Sequence, residues 1–186
     1  MAVEVGPEGF GHRLRPVERQ DAADIFELRT DPVLGRFLNP TAGGVEDQGR
    51  WIEAQRARAG DYYFVIETLG GRWEGIIGLY DIADTSGDWG RWILRRGSLA
   101  APASVLLLLR FGFDELGLRR ICCCTEAENV VALSFHDSCA YTNRSEHIDT
   151  GGQVSFKYSL VLADWPAFRD ALAPMAERIA RRGARS

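Results

Sequence analysis

Residues 99–116 constrain this chain more than any other segment. Val105, Leu106, Leu107, Leu108, Leu109, Phe111 and Phe113 make the run apolar nearly all round, and it is too long for one strand. A helix without a polar face must be buried. The rest of the chain therefore has to supply layers of structure around it. Ser98 is placed to cap this helix, Pro102 falls in the first turn, where a missing amide hydrogen is tolerated, and Gly117 ends it.

The flanking pattern supplies those layers. Residues 12–17 read as a first strand. Asp21 is placed to cap a helix running to Thr30, with Ile25, Phe26 and Leu28 as its apolar surface, and Pro32 stops it. Residues 45–59 carry Trp51, Ile52 and Ala54 in a helical pattern ended by Gly60. Residues 62–68 and 73–82 are strands around the Leu69-Gly70-Gly71-Arg72 turn, and a second turn at 84–87 leads into a third strand, 88–94. After the buried helix come a strand (119–125), a helix (130–140) and a last strand (153–162), beside which 142–149 can pair. Asp164 caps a final helix from Trp165, interrupted by Pro174 and trailing into a frayed basic tail, Arg181-Arg182-Gly183-Ala184-Arg185.

With 186 residues, 46% of them hydrophobic and 26% charged, the chain fits one globular domain. The expected division is a core over about 12–163 and a C-terminal helix and tail over 164–186. A net charge of −4 argues against nucleic acid as a partner. Lys157 is the only lysine. No secretory signal and no membrane-length apolar run is visible, so the expected location is the cytoplasm and no membrane partner is expected. Cys122, Cys123, Cys124 and Cys139 have neither a disulfide framework's spread nor paired zinc spacing. The first three, alternating on a strand, read as small buried residues, and no metal is expected.

Three sequence pieces then carry a resemblance. Asp88-Trp89-Gly90-Arg91-Trp92-Ile93 looks like an acidic-x-Gly-aromatic strand. Phe113-Asp114-Glu115-Leu116-Gly117-Leu118-Arg119-Arg120 is similar to a Phe-Glu-Glu-Leu-Gly-Leu helix end. Asn129, Ala132, Phe135, Ala140 and Tyr141 fall at the spacing of an Asn-x-x-Ala/Ser-x-x-Leu-Tyr-x-x-x-Gly-Phe element. In that order they resemble the GNAT N-acyltransferases, and within them the branch of ribosomal-protein and amino-sugar-nucleotide acetyltransferases. The match covers 78–141, about a third of the chain. It implies an α+β fold with a mixed, mostly antiparallel central sheet flanked by helices, acetyl-CoA as co-substrate, and a small-molecule primary amine as acceptor. Homodimers are common in that family.

The resemblance also implies a site. Its Arg/Gln-x-x-Gly-x-Gly/Ala loop falls here on Leu94, Arg95, Arg96, Gly97, Ser98 and Leu99, with Leu94 in the basic position and Leu99 in the second glycine position. Amides of Gly97, Ser98, Leu99, Ala100 and Ala101 at a helix N-terminus suit a pyrophosphate, with Arg95 or Arg96 adding charge. The backbone amides of Arg91, Trp92, Ile93 and Leu94 are expected to polarise the thioester carbonyl, and Asn129 to bond the pantetheine arm or cap its helix. His136 stands in the family's tyrosine position; an ordinary imidazole pKa of about 6.5 would let it give or take a proton near neutrality. Asp88 is the candidate base through water, and Tyr80 and Asp81 are candidate acceptor contacts. A protein N-terminal acetyltransferase is the alternative within the family. A non-catalytic ligand- or partner-binding domain is the alternative outside catalysis, motivated by Leu94, Leu99 and His136.

Overall fold

A computed structural model describes residues 6–141 and 143–183. Its strands are β1 (Glu8–Gly9), β2 (His12–Pro16), β3 (Tyr62–Thr68), β4 (Trp73–Ala83), β5 (Ser86–Leu94), β6 (Arg120–Glu126), β7 (Asn143–Ile148) and β8 (Val154–Val161). Its helices are α1 (Ala22–Thr30), α2 (Val45–Arg56), α3 (Ala101–Arg110), α4 (Val130–Ser138) and α5 (Trp165–Gly183). The strands form one eight-stranded sheet in the order β1-β2-β3-β4-β5-β6-β8-β7. Every neighbouring pair is antiparallel except β5 with β6, the two strands joined through α3.

Alternation along the strands divides the core in two. Phe64 and Ile66 of β3, with Ile77 and Leu79 of β4, face α3 and α5. Tyr63 and Val65, with Ile76 and Ile93, face Ile25 and Leu28 of α1 and Ile52 of α2. Both faces of the central strands are thus covered, which is why residues 63–67 read as a continuous buried run.

Several local expectations are corrected. The Asp21 side chain does not cap α1; it takes two hydrogen bonds from the Arg15 guanidinium, at 3.0 and 2.7 Å, and one from the Glu18 amide at 2.7 Å. The buried helix begins at Ala101 and passes at Phe111 into a π-helical turn ending at Glu115. Gly112 lies in that turn, where a Cβ would press on the tip of the Ile121 side chain of β6. Pro174 does not interrupt α5: Trp165, Phe168, Leu172 and Ala176 are buried on both sides of it, and their packing on the α3 layer outweighs the lost backbone hydrogen bond. The basic residues Arg181 and Arg182 belong to this helix, Arg181 lying 3.7 Å from Glu177; Ala184 and Arg185 fall outside the described residues, as does Thr142 at the start of the expected β7 segment. Among the described residues no helix is long and apolar enough to cross a membrane.

Candidate active site

The site begins where the sheet splits. β5 pairs with β6 only at Ser86, Gly87 and Asp88. Beyond Asp88, β5 remains bonded to β4 alone; beyond Cys122, β6 remains bonded to β8 alone. Two strand edges therefore face each other across a wedge, and their backbone groups must bond to water or to a ligand. On β5 a bulge sharpens the departure: Gly78 pairs with Gly90 and Ile76 with Ile93, so Arg91 and Trp92 together stand opposite Ile77, and Arg91 takes a φ of +50°. At Gly90 beside it a Cβ would lie 2.5 Å from the Tyr80 hydroxyl, so a larger residue would have to displace that phenol.

The wedge opens into a cleft of about 1080 Å³. Trp89, Gly90, Arg91 and Trp92 line it from β5, Cys124, Thr125 and Glu126 from β6, Asn129 and His136 from the cap and body of α4, and Gln48, Trp51 and Arg58 from α2 and the turn after it. At its base Trp92 lies 5.1 Å from Phe135 and 5.6 Å from Trp89, and its indole N–H donates to Ser104 Oγ of α3 at 3.3 Å.

His136 sits inside this aromatic group, 2% exposed, with Trp89 at 5.5 Å and Tyr158 at 5.0 Å, and its Nδ1 has no partner. Burial lowers its pKa to about 4, partly opposed by nearby Asp137. It is therefore neutral at neutral pH, which corrects the expectation of an imidazole that titrates there. Burial also pushes the Cys139 thiol up to about 12 and Cys123 further still, so neither is a thiolate nucleophile. Cys122 and Cys123 are buried as expected, whereas Cys124 is exposed in the cleft.

Asp88 is not brought together with His136. It is in register with Cys122, which is in register with Ser159, so these three side chains share one face and line a separate cavity of about 530 Å³. Asp81, at a φ of +51°, lines both cavities, and Tyr80 lines the larger. Tyr80 lies under the Arg91 guanidinium, 4.3 Å from its ring centre, and burial raises its phenol pKa. Asn129 does cap α4, its Oδ1 accepting the Ala132 amide at 3.2 Å, and it also lines the cleft.

The loop before α3 differs in detail from expectation. Gly97 takes a φ of +78° with open space around its Cα. Ser98 Oγ accepts the Ala100 amide at 3.2 Å instead of capping the helix, which starts two residues later than a Ser98 cap would place it. Leu99 is 61% exposed, so its side chain projects away from the core, while Ile93 and Ala100 are buried and Leu94 is half-buried. Arg95 and Arg96 are held toward α1: Arg95 bonds Asp24 at 2.6 Å and covers Trp73, and Arg96 lies 3.4 Å from Asp31. Pairs held this close to solvent contribute little to stability.

Several cleft residues escape the sequence reading. Gln48, Trp51 and Arg58 follow helical spacing, but only Trp51 enters the apolar pattern of that segment. Of Arg91 only the backbone entered the expected site; its side chain, bonded to Asp61 at 2.5 Å, owes its position to a bulge that leaves no local sequence mark.

Comparison with known proteins bears on this geometry. A family model described as an acetyltransferase (GNAT) domain matches residues 12–141. No curated protein matches the chain. Among solved structures, apo FdhC, described as a nucleotide-linked sugar GNAT, is 25% identical with a TM-score of 0.80, covering 94% of this chain and 99% of its own. Spermidine N-acetyltransferase from Vibrio cholerae, in complex with CoA and spermine, is 17% identical with a TM-score of 0.75, covering 84% of this chain and 99% of its own.

Proposed function

The chain belongs to the GNAT acetyltransferase family and is an acyltransferase, and from that premise we propose that it moves an acetyl group from acetyl-CoA to a primary amine of a small molecule, an amino-sugar nucleotide in particular. The observation that carries the proposal is the wedge: two strand edges left unpaired beyond Asp88 and Cys122, opening beside the N-terminus of α3. An extended chain of amides, such as pantetheine, satisfies edges of this kind by backbone hydrogen bonding.

The residues present fit such a co-substrate. The first-turn amides of α3 and the left-handed turn at Gly97 form a cradle for a pyrophosphate, and Leu99, turned to solvent, does not fill it. Arg95 and Arg96 can exchange their exposed carboxylate partners for phosphate at small cost. The backbone of residues 92–94, freed from β6, offers the donor for the developing oxyanion.

His136, being neutral, serves as a hydrogen-bond donor toward the leaving sulfur and not as an imidazolium acid. Asp81 takes over from Asp88 as the carboxylate facing the acceptor, since it lines the cleft and Asp88 does not. Together with Glu126 it orients the amine and passes its proton to water in the open cleft.

Calorimetric titration with acetyl-CoA and with CoA tests the first link. Micromolar binding is expected; absence of binding up to millimolar CoA overturns the proposal. With an acceptor in hand, His136→Phe is expected to lower turnover by at least about tenfold while acetyl-CoA affinity is kept.

A further inference from the structure

Lys157 is the single lysine of this chain, and every other strongly basic side chain is an arginine. A guanidinium stays protonated in proteins and does not act as an amine nucleophile. Apart from the α-amino group of the first residue, Lys157 is thus the one primary amine the chain carries.

The fold sets that amine on the strip between the two cavities. Lys157 of β8 stands directly opposite Cys124 of β6, and the side chains of directly opposite residues share a face. Cys124 lines the cleft. Two residues away on either side along β8, on that same face, Ser155 lines the cleft and Ser159 the smaller cavity, which Lys157 lines as well. From β4, Asp81 lines both. Cys124 lies on the inner edge of β6 beyond the split, so Lys157 is one strand spacing, about 4.8 Å, from the wedge. The flexible four-carbon stem of a lysine covers that spacing. Lys157 is exposed, and among the described residues no carboxylate bonds its ammonium, so turning toward the cleft breaks no ion pair.

Resting on the acyl-transfer reading, we infer that Lys157 is a site of self-acetylation: within one chain, its Nζ takes the acetyl group from acetyl-CoA held in the wedge. The ammonium gives one proton to Asp81 or to water. The nitrogen lone pair then forms the C–N bond at the thioester carbonyl, the C–S bond breaks, and a second nitrogen proton passes to the leaving thiolate. The products are an N-acetyl lysine, CoA and one released proton, and no oxidant or reductant is needed. The strip between the cavities then keeps the Asp81 and Asp88 carboxylates and has one cation fewer.

Trypsin reads the outcome directly. Acetylation blocks cleavage after Lys157, so the peptides 145–157 and 158–169, bounded by Arg144 and Arg169, give way to a single peptide, 145–169. The full chain is incubated with acetyl-CoA, and the uncut fraction is followed by mass spectrometry beside the same chain unfolded in urea, which supplies the chemical background. Folded, Lys157 is expected to be acetylated at least about tenfold faster than that background, because the fold holds amine and thioester together. Added CoA is expected to slow the reaction, and dilution of the protein at fixed acetyl-CoA to leave the rate per chain unchanged. A rate no greater than background, indifference to CoA, or a rate per chain that falls on dilution each overturns the inference. Failure of the parent reading is separate: acetyl-CoA that binds while Lys157 stays at background overturns self-acetylation alone, whereas absence of acetyl-CoA binding overturns both.

Discussion

At the scale of single residues, His136 is the side chain whose chemistry depends most on its surroundings. Its position in the sequence suggested a titrating group; Trp89, Trp92, Tyr141 and Tyr158 close over it and make it a neutral one. The shift has a consequence for folding. A histidine whose pKa is about 4 when folded and about 6.5 when unfolded binds its proton preferentially in the unfolded chain, so its contribution is complete above about pH 6.5 and is lost as the pH falls toward 4. From pH 7 to pH 5 this amounts to about 2 kcal/mol. Urea unfolding of the wild type and of His136→Phe at both pH values should show a steeper decline in the wild type by about that amount; parallel declines would refute the neutral assignment. Legibility at this scale was uneven. Asn129 could be read because its neighbours along the helix fix its capping role, whereas the cavity that Asp88 faces could not, because it depends on the Cys122 and Ser159 registers, set by strands distant in sequence.

At the scale of elements, what was readable was what depends on local pattern. Strand β3 follows its expected span, and the meander of β3, β4 and β5 follows from its Gly-Gly and Asp84–Gly87 turns. What was not readable were choices made by packing. The α3 run changes pitch at Phe111 to let Gly112 approach β6, and α5 continues through an exposed proline because its buried face is continuous on either side. The second case gives a prediction. Since Pro174 is exposed and packing, not ring geometry, holds this helix together, Pro174→Ala should raise unfolding stability by about 1–3 kcal/mol. A lower urea midpoint for the variant would show that the proline ring supports the helix in a way its exposure does not indicate.

At the scale of the whole molecule, the split divides the sheet into a group of five strands, β1 to β5, and a group of three, β6, β8 and β7, joined by three residue pairs and the α3 crossover. A ligand that pairs with both inner edges should stabilise the fold as a unit. At about a hundred times its dissociation constant, acetyl-CoA is expected to add about 2.7 kcal/mol, seen as a melting temperature raised by about 5 to 10 °C. Hydrogen exchange should slow most at residues 89–94 and 123–126, and slowing confined to other strands would count against the wedge as the binding site. The outer rim of the sheet is a different matter: β1 is two residues long, and β7 is exposed along its length, with Arg144, Glu146 and His147 among its six residues. Unpaired strand edges ordinarily invite another polypeptide and, through it, aggregation, and short or charged borders discourage that. This protein keeps its most receptive hydrogen-bonding edges inside the molecule, where a thread-like cargo can use them and a neighbouring chain meets only the guarded rim.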